Sequence, residues 1–258
     1  MAQTLYLHCS EGDVAPRVLL TGDPGRLDLF AEVMDEAQEV GSNREYRVIS
    51  GRFEGRRVSA VSAGIGAPST AIALEELKQV GVQSVVRVGT MMGIGAPLGT
   101  VVTPVGAVRM EGTSRRYLPL EYPAVPDWHL TAALKDSAVE AGLDARLGLS
   151  ATFDAFYPDM APALGGDNYP DMDYALLRRR GVLSLDMESA LLFVAGRALG
   201  LATAAFCLVT VAAGNPPGFL DDARRAALTR RLIEAALRGV IRYEPGVKEE
   251  VEVSGGGQ

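Results

Sequence analysis

Short runs rich in β-branched residues alternate with longer segments of helical spacing along most of the chain. Val82–Gly89 and Ala202–Val211 are continuous apolar runs, which is typical of strands buried on both faces of a sheet. Thr70–Val80 and Asp222–Val240 instead repeat their apolar residues at the spacing of one helix face. Strands that alternate with helices predict an α/β fold in which helices flank a central, twisted, mixed and largely parallel sheet.

No segment rich in Gly, Ser and Pro divides the chain into two parts. The length of 258 residues fits one large α/β domain, which we predict to span residues 1–245. Residues 246–258 end in Ser-Gly-Gly-Gly-Gln, and this composition predicts a flexible C-terminal tail. The segment 159–173, rich in Pro, Gly and Asp, is the best candidate for a mobile loop.

Charge and composition exclude several classes of function. The 25 basic and 32 acidic side chains give a net charge of −7, which argues against binding to nucleic acid or to an anionic membrane surface. Two histidines and two cysteines cannot build a His-rich or cysteine-rich metal site. No apolar stretch reaches the ~20 residues of a membrane-spanning helix, and no secretory signal is visible, so we expect a cytoplasmic protein.

Arginine is abundant, whereas other candidate catalytic groups are scarce. Only three of the 25 basic residues are lysines, and the guanidinium group suits fixed, planar recognition of phosphate or carboxylate. Arg26 closes the turn Gly22-Asp-Pro-Gly-Arg26, which follows a short strand and precedes a helix. Free backbone N–H groups at such a turn bind anions, although the turn taken alone is equally explained by ordinary strand-to-helix geometry.

Arg87 interrupts an otherwise apolar strand and is followed by Gly89 and Thr90. A charge inside a sheet is costly unless it is paired. Arg87 therefore either neutralises a buried carboxylate or binds a ligand near the carboxyl end of its strand, where open α/β sheets place their ligands. The glycine and the hydroxyl that follow favour the ligand.

Two carboxylates flank Met187 at the start of a predicted helix that runs to Leu199. Acidic residues favour helix N-termini because of the helix dipole, so Asp186 and Glu188 can be read as caps. Alternatively, a fixed carboxylate such as Glu188 binds the hydroxyl groups of a sugar.

These segments become specific when they are taken in order along the chain. Two of them are weak alone, because Asn43–Tyr46 can be a solvated turn and Phe153–Pro158 can belong to the core. Together the set resembles nucleoside phosphorylase family I, in particular its uridine phosphorylase branch, from about Gly12 to Val240. The motifs that carry the resemblance are Gly-Asp-Pro-x-Arg, Arg-Glu-Tyr, Gly-Ile-Gly-x-Pro-Ser, Arg-Val-Gly-Thr, Phe-Tyr-Pro, Met-Glu-Ser-Ala and, for the uridine branch, the stretch Leu118–Asp127.

The resemblance implies the three-layer nucleoside phosphorylase fold and the reversible phosphorolysis of a ribonucleoside to free base and ribose 1-phosphate. Inorganic phosphate is then a co-substrate, and no organic cofactor is implied. The family's phosphate-binding residues correspond here to Gly22, Arg26, Arg87, Thr90 and, from a neighbouring subunit, Arg44. The resemblance therefore implies at least a dimer, and the family's usual assembly is a hexamer built as a trimer of dimers.

The other site residues follow from the same resemblance. Met187 and Glu188 would hold the ribose, with Glu188 gripping its hydroxyl groups, and Arg87 and Glu188 are the expected catalytic residues. Phe156 would pack on the base. A monovalent cation, K⁺, would bind at the dimer interface to Glu45, Ile65 and Ser69.

The expected base pocket departs from the family's pattern. Uridine phosphorylases carry a Gln and an Arg shortly after Phe-Tyr-Pro, where this chain has Met160 and Pro162. Purine-specific relatives carry an Asp where this chain has Val211 or Ala212, and Asn215 would serve there only if the loop shifted. We therefore expect Met160 and Val211 to line a rebuilt base pocket.

Two further departures lie close to the phosphate and the ribose. Met92 stands where the family has a small residue, usually Gly, and would narrow or reshape the pocket. The family's N-terminal His, which reaches a neighbour's site near the 5′ end of the ribose, aligns with Tyr6 by spacing. His8 takes that place after a two-residue shift, so we expect His8 to bind the ribose.

The sequence leaves the accepted base open. A uridine-type phosphorylase is the main expectation, and a purine nucleoside phosphorylase on the same scaffold is the alternative. A third alternative is a nucleoside-binding protein that has lost turnover through the changes at Met92, Met160 and Val211. The arginines that only phosphate chemistry needs argue against this third alternative.

Overall fold

The computed structural model describes residues 3–165, 173–214 and 216–244. The expected tail, residues 246–258, lies outside these residues, as do Asn215 and the central part of the segment 159–173. The strands of the described chain are β1 (Arg17–Thr21), β2 (Asp35–Asn43), β3 (Tyr46–Phe53), β4 (Arg56–Ser62), β5 (Ser84–Gly93), β6 (Val101–Met110), β7 (Ala145–Phe153), β8 (Val182–Asp186), β9 (Ala202–Ala212) and β10 (Gly218–Phe219). The α-helices are α1 (Arg26–Ala31), α2 (Ala67–Gln79), α3 (Trp128–Glu140), α4 (Phe156–Asp159), α5 (Tyr174–Arg179), α6 (Ser189–Leu199) and α7 (Asp222–Arg242), and 3-10 turns cover Ser114–Arg116 and Ala161–Leu164.

The strands form one mixed sheet in the order β10-β9-β6-β7-β8-β5-β1-β4-β3-β2. β5 also pairs with β9, so β5, β9, β6, β7 and β8 close into a ring, and the other strands extend outward from β5. Pairings β1–β4, β1–β5, β5–β9, β6–β7 and β7–β8 are parallel, and the other five are antiparallel. The expected mixed sheet is confirmed, and its longest pairings, β5–β9 and β6–β7, are parallel.

Helices cover both faces of the sheet and complete the expected three layers. α2 and α6 pack together on one face, where Leu74, Leu77 and Leu191 are fully buried. α1, α3 and α7 cover the other face over a second apolar cluster. Each fully buried leucine stabilises this packing by about 1.5–3 kcal/mol. Within the described residues, no helix is both long and apolar enough to cross a bilayer.

The sequence pattern misplaces the start of one helix and misses a hairpin. α6 begins at Ser189 rather than Met187, because the Asp186 carboxylate accepts hydrogen bonds from the Ser189 N–H and hydroxyl and so ends the preceding strand. Asn43–Tyr46 includes the turn of the antiparallel hairpin β2–β3. β2 is largely polar and has two register shifts, so it lacks the regular alternation that marks a strand in sequence.

The contact between α3 and α7 depends on a glycine. A Cβ atom added at Gly239 would lie 2.9 Å from Leu134 Cδ2 and 3.1 Å from Leu134 Cα. We expect Gly239→Leu to lower the free energy of unfolding by about 1–3 kcal/mol through overpacking, as measured by denaturant unfolding. The control, Ala226→Leu on the exposed part of α7, should change it by less than about 0.5 kcal/mol; equal effects would contradict close helix packing at Gly239.

Candidate active site

A cavity of about 430 Å³ opens where β1, β5 and β9 end. These strands run parallel, β1 and β9 on either side of β5, so their carboxyl ends meet at one edge of the sheet. The lining residues come from these strand ends, the turn after β1, the segment 185–188 and α4: Gly22, Asp23, Pro24, Arg26, Ile65, Arg87, Gly89, Thr90, Met91, Met92, Phe156, Met160, Leu185, Asp186, Met187, Glu188, Thr210 and Val211. The position agrees with the rule that α/β sheets bind ligands at strand carboxyl ends.

The structure gathers most of the sequence-predicted site residues into this cavity. The members that line it are Gly22, Arg26, Arg87, Thr90, Met92, Phe156, Met160, Met187, Glu188, Val211 and Ile65. Arg44, Glu45, Ser69 and His8 do not line it in the same chain. Asp23, Asp186 and Thr210 line the cavity without having been predicted as ligand contacts, and their places at or beside strand ends were the available signal.

The turn after β1 is rigid and holds one positive charge. The Asp23 carboxylate accepts a hydrogen bond from the Gly25 N–H at 2.9 Å. Arg26 Nη1 donates to Thr21 Oγ1 at 3.1 Å and to the Val88 carbonyl at 3.3 Å. Burial lowers the pKa of Arg26, and Arg87 adds to this effect, but a guanidinium stays protonated in a protein. The turn therefore presents a fixed cation to the cavity.

Gly22 allows this turn to approach the loop after β4. A Cβ atom at Gly22 would lie 2.9 Å from the Gly64 carbonyl oxygen, which is closer than real Cβ atoms come to backbone. Any larger residue would separate the two loops. Gly22 is therefore required for geometry, whichever ligand the cavity takes.

Arg87 lies flat along the sheet inside the cavity wall. Its Nη2 forms an ion pair with the Glu188 carboxylate, its Nε lies 3.8 Å from Asp186 Oδ2, and its Nη1 donates to Cys207 Sγ at 2.8 Å. Burial acts to lower the pKa of Arg87, but the acidic side chains around it, Glu188 and Asp186 among them, outweigh burial and raise that pKa. Arg87 therefore pairs with buried carboxylates, as one alternative from the sequence states. It also lines the cavity, where its expected role in binding a ligand stays a prediction.

Glu188 and Asp186 have different roles. Asp186 precedes the helix, and its carboxylate accepts from the Ser189 N–H at the start of α6 at 3.1 Å and from Thr152 Oγ1 at 2.7 Å. The Glu188 side chain makes no capping hydrogen bond. Its Oε1 accepts from the Gly66 N–H at 2.7 Å and its Oε2 pairs with Arg87, so Glu188 lines the cavity as a fixed carboxylate.

The opposite part of the cavity is apolar. Met92 pairs with Leu185 on β8 and with Val211 on β9. Met160 is 4% exposed and belongs to one small apolar cluster with Met92 and Leu185. Phe156 is 39% exposed at the start of α4, with its ring in edge contact with Tyr157. Thr210, next to Val211 on β9, also lines the cavity and carries a hydroxyl group.

Arg44 and His8 lie on the surface away from the cavity. Both are exposed and both have left-handed backbones, with φ of 56° and 53°, a conformation that costs non-glycine residues energy. Glu76 holds the segment before His8 by accepting from the backbone N–H groups of Tyr6 and Leu7, the latter at 2.7 Å. If Arg44 or His8 contacts a ligand of this cavity, the cavity must belong to another subunit.

The three expected cation ligands lie near one another around the loop between β4 and α2. The Ser69 hydroxyl donates to the Ile65 carbonyl at 3.0 Å, and the Glu45 side chain packs against Gly64, where a Cβ atom would come within 2.9 Å of Glu45 Cγ. Carboxylate, carbonyl and hydroxyl oxygens suit a hard cation. Among the described residues, no group of three or more His, Cys, Asp or Glu gathers as a site for a transition metal.

The phosphorylase superfamily model matches residues 16–242. The chain therefore belongs to the phosphorylase superfamily, as the motifs predicted.

Particular relatives define its enzyme class. The chain is 40% identical to a uridine phosphorylase from Thermococcus kodakarensis, over 79% of this chain and 76% of that protein. It is 36% identical to a guanosine phosphorylase from Halorubrum lacusprofundi, over 92% of this chain and 96% of that protein. Its fold matches the crystal structure of uridine phosphorylase from Vibrio fischeri ES114 with a TM-score of 0.80 and 29% identity, over 94% of this chain and 99% of that one. The expected enzyme class, a nucleoside phosphorylase, is confirmed.

Gly89 gives Arg87 the room to lie along the sheet. A Cβ atom at Gly89 would overlap Arg87 Nη1 and would lie 2.9 Å from Arg87 Cζ. Because the obstacle is a flexible side chain, we expect Gly89→Ala to fold but to displace the guanidinium, lowering kcat/KM for phosphate about 10- to 100-fold. Steady-state kinetics with varied phosphate checks this expectation. Gly112→Ala is the control for a general effect of removing a glycine, because Gly112 is exposed and a Cβ atom there would make only an ordinary contact, 3.5 Å from Asp154 Oδ2. An unchanged kcat/KM in Gly89→Ala would contradict the assigned role of Arg87.

Proposed function

We propose that this protein catalyses the reversible phosphorolysis of a ribonucleoside of the uridine type, giving free base and ribose 1-phosphate. The observation that carries the proposal is the ion pair between Arg87 and Glu188 inside the cavity. In this proposal Arg87 would bind phosphate and Glu188 would bind the sugar hydroxyls, and the ion pair supports it because the two side chains are in direct contact. A reaction between phosphate and a sugar carbon needs these two ligands in contact.

The phosphate would lie between the turn after β1 and the end of β5. Arg26 and Arg87 supply positive charge there, and Gly22 and Thr90 line the same region. Phosphate is already an anion, so it needs no general base in order to attack C1′ of the ribose. The residues act by orienting the nucleophile and by fixing charge in a site shielded from water.

Glu188 and Met187 would hold the ribose. As the glycosidic bond breaks, positive charge develops on the sugar, as in glycoside hydrolysis. The Glu188 carboxylate, fixed by Arg87 and the Gly66 N–H, would bind the hydroxyl groups and favour that charge. The base would leave into the apolar part of the cavity, against Phe156 and Met160.

A purine nucleoside is the second candidate substrate. The Halorubrum lacusprofundi guanosine phosphorylase covers 92% of this chain, and the apolar walls at Met92, Met160 and Val211 do not themselves select a uracil edge. Against this candidate, Val211 or Ala212 stands where purine-specific relatives carry an Asp. A protein that only binds nucleosides would have no use for a phosphate site, whereas Arg26, Arg87 and Thr90 all line the cavity.

The assembly would complete the site. Arg44 would reach the phosphate and His8 the ribose of a neighbouring subunit, in a dimer that associates further into a hexamer. K⁺ would bind at the interface between subunits, to Glu45, Ile65 and Ser69. The setting would be nucleoside salvage in the cytoplasm.

A nucleoside panel tests the proposed function. Uridine, thymidine, inosine and guanosine are incubated with the protein with and without inorganic phosphate, and free base and ribose 1-phosphate are quantified. We expect uracil release that requires phosphate and forms ribose 1-phosphate in equal amount. Base release independent of phosphate would indicate a hydrolase, faster hypoxanthine or guanine release would favour the purine candidate, and binding without release would contradict phosphorolysis.

Mixed oligomers test the sharing of Arg44. Arg44→Ala and Glu188→Ala are each expected to be nearly inactive, because every site in either homo-oligomer lacks one group. After unfolding and refolding as a mixture, a dimer of unlike subunits has one complete site, so roughly one site in four should recover. The mixture's specific activity measures this recovery. If mixing restores no activity while both variants assemble, Arg44 is not donated across the interface.

A further inference from the structure

Arg87 is held from two opposite sides, and only one of them is charged. Asp186 and Glu188, from the segment that joins β8 to α6, contact Nε and Nη2. Cys207, on β9, contacts Nη1 at 2.8 Å. An anion that binds Arg87 must therefore meet a guanidinium whose plane is fixed between β9 and the two carboxylates.

The strand register explains why Cys207 reaches this place. Gly89 on β5 is the pairing partner of Cys207 on β9, and Arg87 precedes Gly89 by two residues, on the same face of β5. The arginine side chain extends along β5 over Gly89 and reaches toward β9. It meets there a side chain that is fully buried and small enough to leave space for it.

The thiol ties the arginine side chain to its own backbone. Cys207 Sγ accepts from Arg87 Nη1 and lies 3.8 Å from the Arg87 carbonyl oxygen, to which the S–H donates. Burial raises the pKa of Cys207, so the group keeps the proton that this second contact needs. The contact is neutral and therefore fixes direction without cancelling the positive charge of Arg87.

From this arrangement we infer that Cys207 is a positioning residue that sets the orientation of Arg87 for phosphate. This inference rests on the proposed function. Without the sulfur, the two carboxylates of the 186–188 segment attract the guanidinium with no opposing contact from β9, and Nη1 loses a buried partner. The phosphate site then weakens, while the ribose contacts of Glu188 and the apolar part of the cavity keep their positions.

Kinetics of three variants test the inference. We expect Cys207→Ala and Cys207→Val to raise the KM for phosphate about tenfold, the scale of a lost hydrogen bond to a charged group, with the KM for nucleoside at saturating phosphate little changed. Cys207→Ser keeps a donor and an acceptor and should restore most of the affinity for phosphate. Cys9→Ala removes the other buried thiol, which contacts Leu7 and Val40 rather than the cavity, and should leave the KM for phosphate unchanged.

The outcomes separate this inference from the proposed function. Wild-type protein without phosphate-dependent base release contradicts the proposed function. Active wild-type protein with an unchanged phosphate KM in Cys207→Ala contradicts the positioning role, as does an equal rise in both KM values. Calorimetric titration of each folded variant with inorganic phosphate measures the same loss without turnover. If Cys207→Ala fails to fold, the pair Cys207→Ser and Cys207→Val decides, because only the valine variant should lose affinity.

Discussion

Arg87 carries a positive charge into the interior of a mixed sheet, where an unpaired ion would cost several kcal/mol. Three features remove that cost together: two carboxylates from one short segment, a thiol from the next strand, and a glycine that leaves space for the side chain. None of them acts alone. A single guanidinium, on β5, therefore contacts both β9 and the segment that leads into α6.

The same interaction divides labour between neighbouring acids. Asp186 stabilises the start of α6, since its carboxylate accepts hydrogen bonds from the Ser189 N–H and from the Thr152 hydroxyl. Glu188 faces the cavity and is fixed on both oxygens by Arg87 and the Gly66 N–H. A carboxylate held in this way has already lost its rotational freedom, so a sugar that binds it loses less entropy than it would to a free side chain. Preorganisation of this kind is what a reaction between two bound ligands requires.

Much of the fold and part of the candidate site could be predicted from the sequence. β5, β9, α2 and α7 have clear apolar patterns in the sequence, and their observed bounds lie within a few residues of the expected ones. The hairpin β2–β3 could not be predicted, because its strands are held by pairing with neighbours rather than by an apolar face of their own. Thr210 and Cys207 gave no local signal, since their significance arises only from the register of β9 against β5. The proposed roles of Arg44 and His8 concern contacts between subunits, and a single chain does not contain such contacts.

The apolar part of the cavity rests on a small cluster of its own, around Met92, Phe153 and Met160, apart from the two large clusters under the helices. Phe153 and Met160 lie outside β5 and β9, the strands that hold Arg87 and Cys207. Under the proposed function, substitutions at these two positions would change the shape offered to a base while the anion site stays in place. This chain has similar identity to a relative named for uridine and to one named for guanosine. Such a pair of relatives is expected if the base pocket changes in evolution independently of the anion site.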